Sequence, residues 1–143
     1  MFNIAFPMPA LSSNLAVELA ARLEAVVPAN FSVRADGDQI GVYQGERLLG
    51  GSAAASIVDE EDERALSEKI AAASRAVLDA VQDCIIEELH EPWPRMVDGS
   101  LALPGSETDG RRVYFWYGSH RGELRVIPLA PLEIATVQRQ STV

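Results

Sequence analysis

The chain is poor in the residues that most often carry chemistry. It has one cysteine, Cys84, and two histidines, His90 and His120, among 143 residues. A single thiol excludes an internal disulfide framework and fits a reducing compartment. Basic residues are scarce as well. Twelve Lys and Arg stand against twenty-one Asp and Glu, for a formal net charge of −9. Lys69 is the only lysine, and no basic cluster exceeds Arg111-Arg112. Phosphate backbones need a basic face, so nucleic acid is not an expected partner. No apolar run approaches the roughly 20 residues of a membrane span, so no membrane association is expected. Met1–Pro7 lacks a basic leader region, and Pro7 and Pro9 interrupt its apolar run. It does not read as a signal peptide. The expected location is the cytoplasm.

Short motifs are also missing. Gly45–Ser52 has the glycines and serine of a phosphate loop, but Gly51 stands where the lysine belongs. Gly50-Gly51-Ser52-Ala53-Ala54 lacks the closing glycine of a nucleophile elbow. Glu87 and His90 have the i,i+3 spacing used in di-iron bundles, yet no second such pair exists. Cys84 sits on an apolar stripe, where a thiol packs as a small hydrophobe. Ser119 and His120 are neighbours in a Gly-rich turn, a weak geometry for a nucleophile and its base. The expected catalytic, cofactor and metal residues are therefore none, and no enzyme is expected.

What the chain does have is a long helical pattern. Leu66, Ile70, Ala73, Val77, Val81 and Cys84 recur every three or four residues, with Leu78, Ile85 and Leu89 in an adjacent row. Glu68, Arg75 and Gln82 are assigned to the water face. Asp59 is the expected N-cap, and Glu60 to Glu63 lie where the macrodipole favours negative charge. Pro92 and Pro94 stop the pattern. About thirty residues of helix within Asp59–Pro94, roughly 45 Å, would span the width of a domain this size. Either the remaining chain packs along it or a second copy covers its overhang.

Residues 1–10 read as an extended lead-in, with an edge strand at Phe2–Phe6. A first helix is expected over Ser12–Val27, capped by Ser12 or Ser13 and stopped by Pro28. Phe31 and Val33 alternate, Asp36-Gly37 signals a hairpin, and Ile40 and Val42 alternate again. A third strand over Glu46–Ile57 carries a bulge at Gly50-Gly51. After Pro94, Leu101 and Leu103 alternate, and Pro104–Gly110 reads as a polar loop. Val113–Tyr117 is apolar or aromatic throughout, which predicts a strand covered on both faces. Leu124–Ile127 pairs back as a hairpin, Pro128 and Pro131 end regular structure, and 138–143 is a frayed tail. The fold class is α+β: an N-terminal helix, a three-stranded antiparallel meander, a long central helix, then two to three antiparallel strands. One domain, 1–143, is expected.

Pro92, Trp93, Pro94, Tyr114 and Trp116 form the possible interaction surface. Trp93 between two prolines has little freedom, which suits it to contact, although a helix stop plugging the core ranks ahead. Tyr114 and Trp116 share one face of the aromatic strand, which a helix or a partner must cover. The order α-β-β-β-α-β-β and the acidic character are similar to small bacterial secretion chaperones and their relatives. That layout ends in a C-terminal helix, which this sequence does not signal. The resemblance implies binding of a partner protein. The leading expectation is a non-catalytic protein-interaction module acting as a homodimer. Small-molecule partners stay undetermined, and a ligand-binding protein or enzyme with a helix–sheet pocket would gather Arg95, Arg111, Arg112, Tyr114, Trp116 and His120. An immunity or antitoxin-like protein would use the acidic surface against a basic toxin.

Overall fold

The computed structural model describes residues 8–54, 63–118 and 125–139, with the side chains of 8–10, 50–54, 125 and 139 outside that description. The expected α+β order is present. Helix α1 (Met8–Glu24) leads into strands β1 (Phe31–Asp36), β2 (Gln39–Gln44) and β3 (Arg47–Ala54). Helix α2 (Leu66–Leu89) follows, then β4 (Pro104–Thr108), β5 (Arg112–Gly118), β6 (Arg125–Pro128), β7 (Leu132–Glu133) and α3 (Ile134–Arg139). The first sheet is the antiparallel meander β1-β2-β3. The second has the order β4-β5-β6, and β7 also pairs with β5.

The meander follows its local signals. Gly37 takes φ 63° in the β1–β2 turn, a conformation that side chains with a Cβ resist. Phe31, Val33, Ile40 and Val42 alternate inward and are buried. Opposite Gly41 and Tyr43 the register of β3 slips, which places the expected bulge between Leu48 and Ser52.

Both helices differ from expectation at their ends. The first begins at Met8 rather than Ser12, because proline in a first turn sacrifices no helical hydrogen bond. Met8–Ala10 are thus helical and not lead-in, while 1–7 lie outside the described residues. It stops at Glu24, where the Val26 and Val27 amides both turn back to the Leu23 carbonyl. Helix α2 begins at Leu66, with Ala65 extended at its N-cap and no side-chain cap. Glu63 and Arg64 precede it, and Asp59 to Asp62 lie outside the described residues. Glu63 and Arg64 are exposed and offer no apolar face to bury, so the helix starts at Leu66, which packs against the core. Its end is set by His90 in the left-handed region (φ 59°, ψ 33°), two residues before Pro92. Twenty-four residues give a length of about 36 Å rather than 45 Å.

The C-terminal third holds three corrections. Pro104–Thr108 is a strand and not a polar loop. Its polar residues are accommodated individually: Ser106 donates its hydroxyl to the Ala71 carbonyl at 2.8 Å. A Cβ at Gly105 would sit 2.7 Å from the Trp116 indole, so only glycine permits that close approach. Leu101 merely bridges Arg95. Regular structure also continues past Pro131 through β7 and α3, so Gln138 and Arg139 are helical and not tail. Arg22 holds this return against α1, donating to the Ala130 and Pro131 carbonyls at 2.8 and 3.0 Å. Asn14 donates to the Val137 carbonyl at 2.7 Å.

The core cluster joins α1, both sheets, α2 and α3 through Leu15, Leu19, Ile40, Ile70, Leu78, Ile85, Phe115, Leu132 and Val137. Gln82 departs most from its expected water-facing position, being 1% exposed. Its amide nitrogen donates to the Trp93 carbonyl at 3.1 Å and to the Ala102 carbonyl at 2.7 Å. Tyr117, also buried, donates its hydroxyl to the Leu78 carbonyl at 2.7 Å. These bonds pin α2 to the second sheet and to the 94–102 hairpin, whose own closure includes Ala102 N–H to Pro94 carbonyl at 2.8 Å. No helix among the described residues is long and apolar enough to cross a membrane. Gln82→Ala would leave two buried carbonyls unsatisfied beside a cavity. Urea unfolding should show a loss of about 2–4 kcal/mol; a loss below about 0.5 kcal/mol would contradict the clamp.

Candidate functional site

The five residues of the expected interaction surface do not come together. Pro92 is exposed, Trp93 is half-buried and Pro94 is buried. The Trp93 ring meets Tyr117 edge-on, with centroids 5.4 Å apart and planes at 62°. Tyr117 points toward α2, so Trp93 packs on the helix side of the second sheet. Tyr114 and Trp116 alternate to its opposite face. Trp116 is 1% exposed, so its indole offers no surface to a partner. Tyr114 is half-buried, and its hydroxyl reaches the Asp109 carboxylate at 3.3 Å.

The groups of the ligand-binding alternative are dispersed too. Arg111 and Arg112 are exposed at the start of β5, and Arg112 pairs with Glu133 at 3.4 Å. Arg95 lies toward the other end, beside the Leu101–Leu103 segment that receives the Gly118 amide, and pairs with Glu91 at 2.6 Å. His120 lies outside the described residues. The shifted titrations have local causes. Backbone amides of Arg111 and Arg112, aided by the Tyr114 hydroxyl, hold the Asp109 carboxyl below its usual range. The Ser100 hydroxyl and amide do the same for Asp98. Burial pushes the Cys84 thiol up, with Glu87 and Asp83 adding to it. Burial likewise raises the Tyr117 phenol, whose hydroxyl is a fixed donor to α2. Among the described residues, no three His, Cys, Asp or Glu side chains group to hold a metal.

A different site emerges between α2 and β4. Ala72, Arg75, Ala76 and Asp79 on the helix, with Leu103 and Pro104 beside them, line an open groove of about 380 Å³. Leu103 is 61% exposed, high for a large apolar side chain. Beside it, β4 pairs only with β5 among the described strands, so one edge carries unpaired backbone groups. Arg75 and Asp79 are spaced to pair along the helix, yet neither enters an ion pair among the described residues. The groove is therefore small-walled, apolar at its rim, and flanked by one charge of each sign. Sequence periodicity could assign this helix face to water but could not show that Leu103 would be set against it.

Two measurements follow. Trp93→Ala removes the edge contact with Tyr117 and should lower stability by about 2–3 kcal/mol while leaving the oligomeric state intact; unchanged stability with lost association would make Trp93 a contact residue. Cys84, with a raised pKa, should react with a disulfide reagent at neutral pH at least about tenfold slower than in the urea-unfolded chain. Equal rates would contradict its burial. No protein-family model, curated protein or solved structure matches the chain.

Proposed function

We propose that the chain is a non-catalytic protein-interaction module that acts as a cytoplasmic homodimer. The carrying observation is the α2–β4 groove: small side chains and an exposed leucine next to a free sheet edge. Such a surface suits protein contact, because it adds apolar area and backbone hydrogen-bonding groups in one place. None of the shifted titratable groups lines the groove. The arginines that would greet an anionic ligand lie apart, and Arg95 and Arg112 engage the neighbouring carboxylates of Glu91 and Glu133.

A second reading, a secretion-chaperone-like binder of a partner protein, gains support from α3. With that helix the order becomes α-β-β-β-α-β-β followed by further short strands and a C-terminal helix. Its acidic surface, net charge −9, would favour basic segments of a client.

Light scattering coupled to size exclusion tests the reading. The 15.5 kDa chain should elute as a particle of about 31 kDa, twice that mass, and dissociate on dilution. A monomer at every concentration that also captures no protein from its native host would end the proposal.

A further inference from the structure

The homodimer reading leaves open which surface meets the second copy, and the groove's charges point to one answer. We infer that a second copy of this chain occupies the α2–β4 groove about a two-fold axis near Ala76, with Arg75 of each protomer facing Asp79 of the other. This rests on the homodimer reading and adds the interface to it.

Self-complementarity is the first argument. A two-fold interface must present the same patch from both sides, so a patch with one charge sign repels itself. Here the groove carries Arg75 and Asp79 one helical turn apart. Antiparallel crossing of two α2 helices near Ala76 brings each arginine opposite the other protomer's aspartate. Among the described residues neither side chain makes an ion pair or a hydrogen bond, so both charges are available to a partner.

The second argument is the setting of that patch. Each chain carries a net charge of −9, so two copies repel over most of their surfaces. On the same α2 face, Glu68 and Asp83 are exposed acids, and Arg75 supplies the compensating cation. Ala72 and Ala76 are short enough to let two helix backbones approach closely. Leu103, 61% exposed in the single chain, then gains an apolar cover, and the free edge of β4 lies at the rim of the contact.

The test uses two charge reversals, Arg75→Asp and Asp79→Arg, at exposed positions that should leave folding intact by circular dichroism. Each variant alone places like charges opposite each other twice. Each should therefore weaken dimerisation at least about tenfold in sedimentation equilibrium. Mixed together, they restore both pairs, so native mass spectrometry should show a one-to-one heterodimer at concentrations where each alone is monomeric. Arg75–Asp79 pairing within a single helix would give no such rescue on mixing. Wild-type dimers with single variants that dimerise equally well, or a mixture without heterodimer, overturn the interface while leaving the homodimer standing. A monomeric wild type overturns both.

Discussion

The buried amide of Gln82 is the contact on which the architecture turns. One side chain on α2 satisfies the carbonyls of Trp93 and Ala102, which lie at the two ends of the hairpin leading into the second sheet. One turn earlier, the Leu78 carbonyl accepts from Tyr117 at the far side of the same contact. Buried polar groups of this kind are costly unless fully paired, so they select one register among many apolar packings. Gln82 and Tyr117 together fix both the height and the rotation of α2 against β5. That rotation turns Ala72, Arg75, Ala76 and Asp79 outward beside Leu103 and Pro104. The groove thus opens directly beside the clamp, because Ala102, which accepts from Gln82, is followed at once by Leu103 at the groove's rim.

The same helix also serves the first sheet. The Arg47 guanidinium, at the start of β3, meets Glu88 at 2.9 Å near the end of α2. Being largely exposed, this pair adds little energy compared with the burial of Ile70, Val77 and Val81 along the helix. Packing of α2 between the two sheets accounts for its broad buried arc, which takes in Ile70, Ala71, Ser74, Leu78 and Gln82. Across the molecule, Arg22 reaches the successive carbonyls of Ala130 and Pro131 and holds β7 and α3 against α1.

Much of this fold was legible where local chemistry and burial agree. Asp36-Gly37 marks a turn that a positive φ requires, and the alternating apolar residues Phe31, Val33, Ile40 and Val42 are all buried, with Gly41 buried between the last two. Five apolar residues in succession identified β5 as the central strand. Two misreadings share one physical cause, polar residues whose partners lie far away in sequence. Gln82 looks solvent-facing until Trp93 and Ala102 supply acceptors, and Ser106 looks like loop until Ala71 does. Polarity alone cannot distinguish solvent from a distant carbonyl. The end of the chain was missed because α3 has six residues, too few for a periodic signal after two prolines. Trp93 and Trp116 drew attention as one surface, but strand alternation puts them on opposite faces of the second sheet.

Helix α2 is clamped at Gln82 and carries an open groove beside the clamp, and hydrogen exchange across a dilution series reads both at once. In the proposed dimer, backbone amides of β4 that face away from β5 should be protected, and dilution should release them. Peptides containing Gln82 and Tyr117 should keep their protection throughout, because their bonds lie within one chain. Exchange in β4 that is fast and independent of concentration, or clamp peptides that open together with it, would contradict the account.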